Sequence, residues 1–393
     1  MTRRRALILL LLLFVAFSTA LSAQSADDFL VPDSRSAALG GRHRALADDF
    51  QTLFANPAGL LDVEPQFSYS QLGVRATGPV FSIASLVVES LGGADIATLL
   101  ANPDVQQLLK SIYARFSLTG PISFGYAGAG MGFGVFNDTQ LVLQSTGASG
   151  LEIRAGERFL LRGGYAIGIP LPAAWNSRLA AGIGLNGYVR GDSVVSASLL
   201  TLPSVIGSFG PSLLADSPFE LVSGIGIDAG LRYVWRDTLA AALTVDNLYA
   251  PNVVLTYPTT SGFLDSTGSA SAPVYDAAAQ EISAGVAYTP SIGRIERYVQ
   301  DLTVLFDYSD IFDFWIDPAD AENIVLKMGL GVEATFLEVL SIRAGIGQGL
   351  LAAGIGIDLT YVTLNAAMFG TELSSEPGLR PAYNLTIGLE FPG

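Results

Sequence analysis

The chain of 393 residues has no cysteine, one histidine and 43 glycines, with a net charge of −15 and a mean hydropathy of +0.44. The acidic balance excludes a nucleic-acid-binding surface, which needs clustered Lys and Arg; the missing thiols exclude a disulfide framework and a cysteine zinc site. Charged residues make up only 15%, against about 25% in a soluble chain, yet beyond the N-terminus there is no run of about 18 apolar residues that would form a spanning helix.

Thr2, Arg3, Arg4 and Arg5 form a basic opening, followed by an apolar stretch over 6–17 and small residues over 18–23. This pattern predicts an export signal over residues 1–23, cleaved between about Ala20 and Ser25. Residues 24–62 are rich in small side chains, weakly periodic, and end in the turn chemistry of Asn56, Pro57 and Gly59. The segment is too polar to cross lipid and suits a barrel lumen.

Strand-like alternation then predicts elements at 66–75, 80–88, 122–130, 131–137, 139–145, 158–169, 178–190, 223–235, 238–248, 281–288, 301–308, 324–336, 339–346, 351–361, 362–369 and 382–391. In the run 324–336, Ile324, Leu326, Met328, Leu330, Val332, Ala334 and Phe336 share one face, while Lys327, Glu333 and glycines share the other. The same alternation puts Ile225, Ile227, Ala229, Leu231, Tyr233 and Trp235 opposite Asp228 and Arg232. An apolar face against lipid and a polar face toward water is the pattern of a barrel wall. After merging, the fold class expected is all-β: a transmembrane antiparallel β-barrel of about 14 strands spanning 63–393.

Two insertions interrupt the alternation, at about 89–118 and 193–220. In the first, Asn102 and Pro103 open a predicted helix on which Val105, Leu108, Leu109, Ile112 and Phe116 recur at helical spacing. Both insertions are expected to be partly helical and extracellular, either capturing ligand or packing on the rim.

No catalytic centre is legible, and the expectation is a non-enzyme without metal or other cofactor. The only histidine, His43, lies between Arg42 and Arg44 without a triad context. Asp307, Asp310, Asp313, Asp317 and Asp320 lack the register of a calcium loop. Lys327, Arg343 and Arg232 fall on expected lumen faces, where they either meet a ligand carboxylate or pair with Glu333, Asp228 and Asp358; pairing is favoured.

The block Ser36-Ala-Ala-Leu-Gly-Gly41, then Ala45-Leu-Ala-Asp-Asp49 and Leu53-Phe-Ala-Asn-Pro-Ala-Gly-Leu60, resembles the FadL family of outer-membrane transporters for long-chain fatty acids and other hydrophobic compounds, and its PorV-like relatives. The stretches 339–345 and 354–358 are also similar to this group. The resemblance implies a barrel with an N-terminal plug, or hatch, in which Asn56, Pro57, Ala58 and Gly59 would form the gate. It also implies residence in the outer membrane of a diderm bacterium, assembled there by the outer-membrane machinery. A hydrophobic, fatty-acid-like small molecule and the lipid bilayer are the implied partners, with Leu108, Leu109, Ile112, Phe116, Lys327 and Arg343 as candidate ligand contacts; a monomer is expected. A PorV-like scaffold for protein secretion or surface attachment is the alternative. The chain departs from the family in placing Pro392 and Gly393 after the terminal aromatic Phe391.

Overall fold

The computed structural model describes residues 33–79, 112–145, 150–198, 201, 210–291, 293, 298–316, 318, 321–359 and 361–392. The export signal and the run expected at 80–88 lie outside these residues, as do Leu108 and Leu109.

Every strand pairs antiparallel with its neighbours, and the sheet closes on itself. The strands are β1 (Gln66–Thr77), β2 (Tyr113–Gly128), β3 (Met131–Ser145), β4 (Gly150–Ile169), β5 (Ser177–Ser198), β6 (Phe219–Trp235), β7 (Leu239–Tyr249), β8 (Pro251–Tyr257), β9 (Val274–Ala277), β10 (Glu281–Tyr288), β11 (Val299–Tyr308), β12 (Met328–Phe336), β13 (Leu340–Gly347), β14 (Leu350–Leu359), β15 (Val362–Glu372) and β16 (Pro381–Pro392). β1 pairs with both β2 and β16, while β5 pairs with β6, which closes a ring of 14 strands. β8 and β9 form an outlying hairpin: β7 and β8 bind successive stretches of β6, and β9 extends the ladder from β8. Closure leaves the ring no free edge.

The two faces of the wall are chemically opposite. On β16, Tyr383, Leu385 and Ile387 are exposed while Ala382, Asn384 and Thr386 are buried. On β12 and β13, Leu330, Val332, Ile342 and Ile346 are exposed while Glu333 and Arg343 are buried. A continuous exposed apolar belt around a closed ring is stable only against lipid. The chain is a transmembrane β-barrel. Ile387 lies within this belt, 46% exposed; Ile387→Lys is therefore expected to cost about 2–4 kcal/mol in a denaturant titration of the barrel folded into lipid vesicles. Wild-type stability for that variant would place the face away from lipid.

Three expectations require correction. The helix expected through Phe116 gives way to strand: β2 begins at Tyr113, and Phe116 pairs with Ala76 and Leu141 on its two sides. Ala114, Phe116 and Leu118 alternate with Arg115, Ser117 and Thr119, so period two competed with period 3.6 and ladder pairing decided. The run from Ile324 does not start as strand either. Asn323 caps a 3-10 turn over Ile324–Lys327, its side chain accepting from the Val325 N–H, and β12 starts only at Met328. The second insertion is also shorter than expected, because β5 continues to Ser198 and β6 begins at Phe219. A single helical turn at Pro211–Ala215 lies between them.

Candidate functional site

The N-terminal residues 33–62 run inside the ring. Asp33 caps α1 (Ser34–Ala38), accepting from the Arg35 and Ser36 N–H groups. α2 (Thr52–Ala55) is buried throughout, and Asn56 then caps a 3-10 turn over Pro57–Leu61. Ala38, Leu39, Ala58 and Leu60 have no exposed surface at all, although this stretch is neither strand nor long helix. Part of its backbone is bonded within the segment, as the Gly59 N–H is to the Asn56 carbonyl at 3.0 Å, and part to the wall, as the Leu60 carbonyl is to the Gly130 N–H at 2.9 Å.

The wall holds this inner segment at four stations. At the first, the Arg35 guanidinium donates to Asp48 at 2.7 Å, Asp49 at 2.6 Å and Glu333 at 2.5 Å. Glu333 also pairs with Arg343, which donates onward to Asn365. At the second, His43 Nδ1 faces Asp307 Oδ2 at 2.5 Å and Nε2 faces the Leu39 carbonyl at 2.9 Å, while the Arg44 N–H donates to Asp307 Oδ1 at 2.8 Å. At the third, the Arg44 side chain reaches Asp246 at 2.8 Å and Glu281 at 3.0 Å. At the fourth, Asp62 pairs with Arg232 and Arg178, and Arg162 donates to the Leu53 carbonyl at 2.8 Å while pairing with Asp228.

Asn56 explains why the Asn-Pro-Ala-Gly turn has its particular residues. Its Nδ2 donates to the carbonyls of Arg44 at 3.1 Å and Leu231 at 3.2 Å, and its Oδ1 accepts from the Ala58 N–H at 3.0 Å. A short amide side chain joins two stretches of the inner segment to β6. Pro57 then starts the turn without an N–H to satisfy. A side chain at Gly182 of β5 would collide with the Ala58 backbone at 2.4 Å.

The remaining candidate ligand contacts are placed differently from one another. Ile112 is buried, its carbonyl accepting from the Ser145 N–H, whereas Phe116 is exposed on the outer face of β2. Lys327 is buried in the 3-10 turn rather than on the lumen face of a strand; it pairs with Asp313 and donates to the Asp310 carbonyl. Burial, together with the Asp313 carboxylate, pushes the Asp310 carboxyl up to about 6. Arg343 is committed to Glu333 and Asn365. Lys327, Arg343 and Arg232 are thus all paired, but only Arg343 with an acid named from the sequence, Glu333; Lys327 takes Asp313 and Arg232 takes Asp62. Asp307 and Asp313 point to separate partners, and Asp317 and Asp320 lie outside the described residues.

One side of the wall is apolar on both faces. Inside, Phe50, Phe54, Leu160, Phe136, Tyr188 and Val222 form a buried cluster with ring centroids 5.0–6.3 Å apart among the three phenylalanines. Outside, an open groove of about 700 Å³ runs over β3–β6 and the β8–β9 hairpin, lined by Val135, Phe159, Leu161, Val189, Ile225 and Val253 among others. Leu160 and Tyr188 belong both to the inner cluster and to the groove lining.

No family model and no curated protein matches the chain. Solved structures do. They include the CymD monoaromatic hydrocarbon channel, with 11% identity and a TM-score of 0.48 over 91% of this chain and 96% of that one. The Ralstonia pickettii toluene transporter TbuX gives 10% and 0.47 over 92% and 97%, and a Pseudomonas aeruginosa FadL homologue 12% and 0.40 over 93% and 99%. At such identities and scores, nothing about ligand or mechanism transfers.

Proposed function

We propose that the chain is an outer-membrane passive transporter of hydrophobic solutes, long-chain fatty acids among them. The solute is captured by the apolar extracellular insertions and passes through a barrel gated by residues 24–62, with Asn56, Pro57, Ala58 and Gly59 in the gate. The reading is supported chiefly by the wall around Leu160 and Tyr188, where an apolar cluster inside backs onto an apolar groove outside. An apolar solute crossing at that point exchanges one apolar contact for another and leaves no polar group unpaired. The occupied lumen argues against a general porin.

A second reading, a scaffold that holds protein partners at the surface, is favoured by a different observation. The described lumen wall above the inner segment is charged rather than apolar, with Arg75, Arg115, Arg154 and Arg158 on inward faces. Proteoliposome assays separate the readings. Transport predicts uptake of a fluorescent long-chain fatty acid above protein-free vesicles, without swelling in glucose. Absence of uptake would leave the scaffold, and rapid swelling in glucose would indicate a porin.

A further inference from the structure

The lumen wall of β1–β4 carries guanidinium groups that no carboxylate among the described residues neutralises. Register fixes their places. Arg75 faces Ser117 across β1 and β2, and Arg115 stands two residues along from Ser117 on the same face. Thr119 faces Asp138, which faces Arg158 on β4. With strands about 4.8 Å apart, the three spacings from β1 to β4 put these residues on one patch roughly 15 Å across at the backbone, which long arginine side chains can bridge.

The pairing within the patch is incomplete. Asp138 is taken by Arg158, and Arg115 donates only to the neutral Gln140, at 3.0 Å. Arg75 lies over the Phe369 ring at 5.2 Å and makes no hydrogen bond or ion pair among the described residues. The Nε atoms of Arg75, Arg115 and Arg158, Nη1 of Arg158 and the Ser117 hydroxyl are buried without a partner. Arg158 is only 6% exposed and Ser117 1%, so water does not readily serve them. Neighbouring acids are already committed: Glu152 and Glu220 to Arg154, Asp192 to Arg190. Among the described residues, three guanidiniums therefore surround one carboxylate, leaving two positive charges without a carboxylate partner.

Buried charges normally have partners. A fork of guanidinium N–H donors beside a hydroxyl matches a tetrahedral oxyanion, which can accept from several donors at once. We propose that Arg75, Arg115, Arg158 and Ser117 form a binding site for a doubly charged oxyanion, such as a phosphomonoester. The site stands apart from the transport reading, since it concerns binding at the lumen wall and not passage.

The test is calorimetric titration of the full-length barrel in a neutral maltoside detergent with inorganic phosphate, dodecyl phosphate and acetate. Both phosphates are expected to bind, acetate at least about tenfold more weakly, and Arg75→Gln and Arg115→Gln to weaken phosphate about tenfold each. Tighter binding of dodecyl phosphate than of inorganic phosphate identifies an amphiphile's head group; equal binding identifies the free anion. In phosphate-free buffer, Arg75→Gln is expected to leave thermal stability equal or higher, because it removes an unpaired charge; a purely structural arginine would lose stability. Absence of phosphate binding by the wild-type protein, or binding unchanged in both variants, overturns the proposal.

Discussion

Gly345→Val is expected to unblock the lumen. Gly345 lies on the inward face of β13, where an added Cβ would sit 2.3–2.6 Å from the Leu39 carbonyl carbon and oxygen and the Gly40 nitrogen. Those are backbone atoms, so no side-chain rotation relieves the clash. β13 is held on both sides by ladders to β12 and β14, whereas the inner segment is held by side-chain pairs and a few caps. The inner segment is the part that yields. A ring of 14 strands from which residues 33–62 are displaced encloses a wide aqueous lumen, so planar-bilayer conductance should rise roughly tenfold or more over wild type. The far-ultraviolet spectrum and heat-modifiable gel mobility should remain those of a folded barrel. Unchanged conductance in a folded variant would mean that residues 33–62 do not close the pore.

Glu333→Gln carries the largest expected loss of stability. Glu333 is 5% exposed and receives both Arg35 and Arg343. Removing its charge leaves the buried Arg343 without its carboxylate and Arg35 with only Asp48 and Asp49, and breaking a buried pair from one side costs about 3–5 kcal/mol. Part of that cost falls on the attachment of the inner segment, so limited proteolysis around Arg35 and Arg42 should accelerate before the barrel itself unfolds. Asp48→Asn gives the contrast. Asp48 contacts the same Arg35, but its side chain is 49% exposed, and its loss should cost less than about 1 kcal/mol. Similar effects for the two variants in a urea titration would contradict the burial assigned to Glu333.

The wall was legible from sequence because one rule governs it: lipid outside and polar lumen inside force period-two alternation. β10 lies where the alternation placed it, at Glu281–Tyr288, and most other strands differ only in their ends. Where that rule does not apply, the reading failed. β8 and β9 were missed because Pro251 and Asn252 read as turn residues and β9 has only four residues. Ile324 and Leu326 alternate correctly yet sit in a 3-10 turn, because the Asn323 side chain caps the Val325 N–H.

The site was legible in part. The Asn56–Gly59 turn was singled out from its residues, but its tie to the Leu231 carbonyl is a contact across 175 positions. The patch of Arg75, Arg115 and Arg158 was not foreseen at all. Each arginine belongs to a different strand, and only the register of β1–β4 brings them together.

The position of the inner segment is tested most directly by a cysteine pair, since the chain has no cysteine of its own. Ser34 of the inner segment and Thr386 of β16 meet through their side-chain oxygens at 3.1 Å, both buried, so sulfur atoms in those places stand within reach of a disulfide after a small side-chain rotation. Ser34→Cys with Thr386→Cys should therefore oxidise within one chain in the folded barrel. Non-reducing gels should show a shifted band that reverts with reductant, and a membrane-impermeant maleimide should label neither position before reduction. Two free thiols that label readily in the folded, detergent-solubilised protein would contradict a lumen closed by its own N-terminal segment.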